Sequence, residues 1–252
     1  MLDDKDVLPD FKLDEAEDTS KVIFTIYGEK GEGKTTMALS FPGKIACLSF
    51  DRKSSIIKKD TYKNDSRIKV YDMIKYLDED PNFYTKSALI TYKYCQFVLE
   101  ELAKGKSKPD WIVIDGLEIF SKIGEMVMRY NNNLKPFQGV INRNIWKERQ
   151  LIMRKIHNRS RDVAIKGVVY TTYTQYDEIV EEGTIKTKAK VPKWTDVILW
   201  ETDIVIYAYA KQDEKGKKFF INCVSSKMND IIKTGHISEI TNKKLPIDLN
   251  DE

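Results

Sequence analysis

Residues 28–36 read Gly-Glu-Lys-Gly-Glu-Gly-Lys-Thr-Thr, which fits the pattern G-x-x-x-x-G-K-[ST] with Gly28, Gly33, Lys34 and Thr35 in the defining positions. A polyphosphate needs backbone N–H groups turned inward, a cation at its terminal oxygens and a hydroxyl on its divalent metal. A glycine-rich turn opening a helix, with Lys and Thr at its start, supplies all three. The expected nucleotide-binding segment is therefore Gly28, Glu29, Lys30, Gly31, Glu32, Gly33, Lys34, Thr35 and Thr36, with ATP and Mg²⁺ as the cofactors it would hold. The plain alternative is a glycine-rich turn without a ligand. Its context favours the nucleotide: Val22 to Tyr27 is an apolar, β-branched run that reads as a buried strand, and Thr36 to Leu39 reads as a helix start.

A second candidate stands about eighty residues on, where Trp111-Ile112-Val113-Ile114 is followed by Asp115. A carboxylate at the end of a buried parallel strand reaches the phosphate crevice. Asp115 and Thr35 are thus the expected metal ligands, the alternative for Asp115 being a turn former before Gly116.

The elements that must position these groups alternate along the chain. Ile45 to Asp51 and Ile68 to Tyr71 read as strands. Leu89, Tyr92, Gln96, Leu99 and Leu102 mark a helix over 88–102, and a basic helix is expected over about 141–158 with Ile145, Leu151, Ile152 and Ile156 inward. Gly167 to Thr172 returns to the sheet, a polar hairpin intervenes over 176–196, and 203–208 and 219–224 form an antiparallel pair about the turn at 213–216. The fold class is α/β: a three-layer P-loop NTPase with a mostly parallel central sheet and antiparallel edge strands. One domain over 21–244 is expected between an acidic tail, 1–20, and a short C-terminal tail, 245–252.

Composition narrows the class. No run of eighteen apolar residues appears and the first residues are acidic, so neither a membrane span nor a secretory leader is expected, and the expected location is cytoplasmic. Cys47, Cys95 and Cys223 are odd in number and lie in apolar runs, which points to buried free thiols. The net charge of +3 hides an asymmetry: the first twenty residues carry eight acids against Lys5 and Lys12, so removing their −6 leaves +9 on the remainder. That suits a polyanionic partner. No Asn-Lys-x-Asp base-reading motif is present, since Asn242-Lys243-Lys244 is followed by Leu245, which argues against a GTPase.

The loop, Leu48-Ser49-Phe50-Asp51, Trp111 to Gly116, Val168 to Gln175 and the late strand leading to Ser225-Ser226-Lys227 together resemble the RecA-like ATPases over about 21–240. Within that group the likeness is to compact phage and archaeal-virus proteins associated with single-strand annealing and recombination. The resemblance implies that Gln175 senses the γ-phosphate and relays its presence to an adjacent DNA-binding loop. It implies that Lys227 reaches across a subunit interface to a neighbour's γ-phosphate, hence a homo-oligomer, ring or filament. It also implies that a single-strand-binding or recombination protein is a partner. Two departures stand out: the slot for a water-orienting glutamate is Lys53, leaving Asp51 or Glu118 as substitutes, and Asn229 replaces an arginine two positions beyond Lys227.

The hairpin occupies the position of that DNA-binding loop. Period-two alternation would put Lys186, Lys188 and Lys190 on one face at about 6.6–7 Å intervals, close to one backbone phosphate each. Lys193 joins them, and Trp194 or Tyr176 offers a stacking surface for a base. The alternative is a solvated strand that resists aggregation. The expected function is thus ATP hydrolysis coupled to single-stranded DNA. Lys34, Asp51, Glu118, Gln175 and Lys227 are the catalytic candidates. The rivals are an ATP-dependent protein-interaction switch with little turnover and a small-molecule kinase.

Overall fold

The computed structural model describes residues 21–240, apart from 182, 183, 194, 195 and 215, with the backbone alone over much of 177–189. The acidic tail, the C-terminal tail and Trp194 lie outside the described residues.

A nine-stranded sheet runs in the order β3-β2-β4-β5-β1-β7-β8-β9, with β6 paired to β5 off that path. The strands are β1 (Val22–Gly28), β2 (Ile45–Ser49), β3 (Ile68–Asp72), β4 (Trp111–Asp115), β5 (Gly167–Glu181), β6 (Thr184–Pro192), β7 (Ile204–Asp213), β8 (Gly216–Ser226) and β9 (Ile237–Glu239). The run from β3 to β7 is parallel throughout, and β8 and β9 add an antiparallel edge. Adjacent residues of the inner strands are buried on opposite faces, as in Ile112 and Ile114 against Trp111 and Val113. Such near-continuous apolar runs require a cover on both sides.

One face carries α3 (Tyr84–Lys104), α4 (Leu117–Asn131) and α5 (Ile145–Val163), packed with Leu48, Ile114 and Phe120. The other carries α1 (Lys34–Ala38), whose Met37 packs with Phe24, Phe41 and Trp111, and α2 (Ser54–Asp60) lies beside it through Ile57. A six-residue helix, α6 (Asp196–Glu201), precedes β7. The three-layer α/β arrangement and the expected 213–216 turn are as the sequence indicates, and the three cysteines are free and buried.

Several elements differ from expectation. The basic helix starts at Ile145, because Ile141 is 98% exposed in the preceding turns, and it buries Ile152, Met153, Ile156 and His157 while Leu151 faces out. The strand expected to end near Thr172 continues to Glu181. It pairs with β1 as far as Tyr173, and beyond Gly28, where β1 stops, it pairs among the described strands with β6 alone. The hairpin is therefore an outgrowth of a central strand. Its register slips at Lys188: Asp177 pairs with Ala189 but Glu178 with Thr187, so the even lysine spacing is interrupted by a one-residue bulge. The short helices α2 and α6 and the strand β9 carry no sequence signal strong enough to announce them.

Candidate nucleotide-binding site

The parallel strands β1, β2 and β4 end at the same edge of the sheet, with β5 between β4 and β1, and their carboxyl ends carry the predicted groups into one cleft of about 200 Å³. Gly28 closes β1 against β7, where a Cβ would stand 2.2 Å from the Ala208 carbonyl oxygen, so no other residue fits. Gly31 and Gly33 turn the loop with φ of 78° and 85°, a region that L side chains rarely adopt. The loop delivers Lys34 and Thr35 to the first turn of α1, with the Met37 amide donating to the Gly33 carbonyl at 2.8 Å.

Asp115 is 1% exposed, and hydroxyls surround its carboxylate. Thr35 donates at 3.0 Å and Thr171 at 2.5 Å to Oδ1, and Ser54 donates at 2.6 Å to Oδ2. The Gly116 amide donates in turn to Thr171 at 3.0 Å, and Ser49 lies 2.8 Å from the Ser54 hydroxyl. A buried carboxylate satisfied this way is held in one rotamer, each charge-assisted bond being worth about 1.5–3 kcal/mol. Asp51 lines the same cleft, and burial together with the neighbouring Asp115 charge holds its carboxyl above the usual range. Two adjacent carboxylates and a threonine hydroxyl are hard oxygen donors, and a divalent cation would relieve their repulsion, so the donor set fits Mg²⁺.

Lys34 folds back on the loop, its ammonium donating to the carbonyls of Gly28 at 3.0 Å and Glu29 at 2.9 Å, with the Tyr173 ring centroid 4.4 Å away. Burial lowers its pKa, and the carboxylates of Glu118, Asp115, Glu32 and Asp51 oppose that shift. Glu118 stands in the first turn of α4, where Oε1 accepts from the Thr172 hydroxyl at 2.6 Å and from the Tyr173 amide. The Thr172 hydroxyl also lies 2.7 Å from the carbonyl of Lys193, and the Lys193 amide donates to the Tyr173 carbonyl at 2.8 Å. Lys53, at the sequence position where a water-orienting carboxylate was sought, is among the residues lining the cleft.

Other predicted residues lie elsewhere. Gln175 is exposed in the middle of β5, paired with Val191, and β5 contributes Thr171, Thr172 and Tyr173 to the cleft in its place. Lys227 is exposed beyond β8, its amide bonded to the Asp203 carbonyl, and Asp203 in turn donates to the Ile23 carbonyl. It is therefore at the opposite end of β1 from Gly28, outside its own chain's cleft. Lys190 is exposed beside the phosphate loop, 3.6 Å from Glu29, and Lys193 is exposed just after β6, while Lys186 and Lys188 are placed by backbone register only. Ser54, Thr171, Thr172, Tyr173 and Phe219 line or brace the site without having been predicted. The Thr-Thr pair closing an apolar strand was the available signal for two of them.

A parallel sheet with a glycine-rich loop between β1 and α1, and a hydroxyl-clasped aspartate at the end of β4, defines a P-loop NTPase fold. The AAA_24 family profile, described as an AAA domain, matches residues 20–234, and the chain belongs to that family. Among solved structures, a KaiC-like protein from the hyperthermophilic archaeon Pyrococcus horikoshii OT3 aligns at 11% identity and a TM-score of 0.46, over 90% of this chain and 89% of that one. No curated protein matches. No described helix is long and apolar enough to cross a membrane.

Proposed function

We propose that this protein is an ATPase that couples binding and hydrolysis of ATP to single-stranded DNA, in recombination, annealing or replication, as a homo-oligomer. The observation that carries the reading is the path of β5: it lines the cleft with Thr171, Thr172 and Tyr173, then continues as the outer strand of a hairpin that carries Lys186, Lys188, Lys190 and Lys193. The strand that lines the cleft thus also forms one side of a hairpin whose other strand, β6, presents Lys186, Lys188 and Lys190 opposite the acids Asp177, Glu178 and Glu181 of β5.

In this reading the loop amides and Lys34 bind the phosphates, and Lys34 leaves its carbonyl acceptors to stabilise charge on the γ-phosphoryl group. Thr35 and Asp115 hold Mg²⁺, which when bound neutralises the phosphate oxygens. Glu118, fixed by Thr172 and the Tyr173 amide, orients the attacking water, with Asp51 as the second carboxylate within the cleft. Lys227 serves the cleft of another copy, since it lies away from its own. The arm adds backbone-phosphate contacts and base stacking worth about 1–3 kcal/mol per stacked base.

The test is ATP turnover with and without a single-stranded oligonucleotide. Stimulation by the oligonucleotide is expected. ATP binding with negligible turnover in both conditions would favour a second reading, a nucleotide-dependent protein-interaction switch, for which Lys53 in the cleft is the supporting observation.

A further inference from the structure

The outer stripe of α5 is cationic and leads toward the start of β1. Leu151, Arg154, Lys155, Asn158 and Arg159 are all exposed, at the spacing that shares one helix face. Arg161 pairs with Glu201 at 3.4 Å, whereas Arg154, Lys155 and Arg159 have no carboxylate within ion-pair distance among the described residues. A cationic helix face alone is ordinary solvation. Here an apolar groove of about 570 Å³ opens onto it, between α3, α4 and α5. Leu89, Tyr92, Val127 and Ile152 form its floor, Leu151 stands 56% exposed at its mouth, and Arg154 and Lys155 line its rim.

The chain enters the fold at the end of the same stripe. Lys21 donates from Nζ to the Arg161 carbonyl at 2.7 Å and to the Asp162 carbonyl at 3.4 Å, which fixes the root of the preceding segment beside the last turn of α5. Residues 1–20, outside the described residues, hold eight acids against two lysines, with Val7, Leu8, Phe11 and Leu13 among them. From Arg161 back to Leu151 is about 15 Å along a helix, a distance that about five extended residues span. Phe11 and Leu13 therefore reach the groove with chain to spare. Asp18, Glu17, Glu15 and Asp14 would pass Arg159, Lys155 and Arg154 on the way.

We propose that this groove is the seat of the chain's own acidic segment: Phe11 and Leu13 enter it, and the acids of 14–18 pair with Arg154, Lys155 and Arg159. The proposal does not depend on the nucleotide reading. Each ion pair has only the strength of a surface contact, but the tether at Lys21 holds the segment at an effective concentration on the order of millimolar, so weak contacts suffice. The seated segment covers cations that a polyanion would otherwise meet. It is a built-in competitor on this face of the molecule.

Cross-linking in the full chain tests the seat. Lys12→Cys leaves Phe11 and Leu13 in place, and the three native cysteines are buried. Its rate of disulfide formation under diamide is compared in two pairings, with Leu151→Cys at the groove and with Ile165→Cys, which is 54% exposed, off the groove and closer to the root of the segment. A tethered segment with no seat would reach Ile165→Cys at least as fast. Expected is a rate at least about tenfold higher with Leu151→Cys, slowed severalfold by about 0.5 M NaCl or by adding Arg154→Glu/Lys155→Glu. Melting temperatures confirm that each variant folds. Equal rates, a faster Ile165→Cys pairing, or a fast Leu151→Cys rate indifferent to salt and charge reversal would overturn the proposal. So would a disulfide dimer formed equally fast on mixing the Lys12→Cys and Leu151→Cys single variants, since the groove would then receive the segment of a second copy.

Discussion

The two halves of β5 do opposite work with one continuous backbone. From Gly167 to Tyr173 the strand lies between β1 and β4, with Val168, Val169 and Tyr170 fully buried. From Thr174 to Glu181 its only strand partner among the described residues is β6. The change falls where β1 ends at Gly28, so the end of the phosphate-loop strand decides where a core strand becomes a surface arm. The inner half holds Asp115 and Glu118 through Thr171, Thr172 and the Tyr173 amide. Substitutions there should be felt in stability and chemistry, and substitutions in the outer half in partner binding.

The largest effect should come from the residue that touches the inner half across the cleft. Lys34→Ala should lower ATP turnover by at least about 100-fold, the scale seen when one charge-stabilising donor is removed, while the melting temperature stays near that of the wild type. Steady-state phosphate release measures it.

Acid should attack the inner half next. His157 is buried with Nδ1 2.6 Å from the Tyr170 hydroxyl, and burial, opposed by Glu201, lowers its pKa from 6.5 to about 4. The unfolded chain therefore binds a proton that the native state refuses. The associated stability is fully present above about pH 6.5 and is lost as pH falls toward 4, amounting to up to about 3 kcal/mol. Denaturant titrations between pH 7 and 4.5 should show this loss, and it should shrink in a His157→Gln variant that folds.

Thr171→Val should cost about 1.5–3 kcal/mol, because Asp115 loses a buried donor and the Gly116 amide its acceptor. Thermal unfolding with and without Mg²⁺·ATP measures it. The smallest stability effect belongs to the outer half: replacing Lys186, Lys188 and Lys190 together by Ala should change unfolding free energy by less than about 0.5 kcal/mol. The same triple variant should weaken oligonucleotide binding and reduce the salt-dependence slope by about 2, as three single-strand phosphate contacts require. A destabilised triple variant would erase the contrast between the halves.

What was legible in the sequence is what is local. The loop glycines, Lys34, Thr35 and the strand ending in Asp115 are each specified within a few neighbours, and their meeting follows from parallel strands that share a carboxyl edge. Contacts made across the fold left no such trace. Ser54 reaches Asp115 from 61 positions away through α2, a short helix of mixed polarity, and Tyr173 meets Lys34 only because β5 lies beside β1. Gln175 seemed to end a strand because the polar residues after it resemble a loop, yet pairing with β6 satisfies their backbone and carries the strand on. The bulge at Lys188 is likewise a matter of register, which alternation alone does not encode.

The central claim is that nucleotide bound at the inner half changes what the outer half does. It is tested most directly by titrating a labelled single-stranded oligonucleotide in the presence and absence of a non-hydrolysable ATP analogue with Mg²⁺. The account predicts a severalfold change in oligonucleotide affinity, matched by an equal change in analogue affinity when the order of addition is reversed. Identical oligonucleotide affinity with the analogue bound and absent would contradict it.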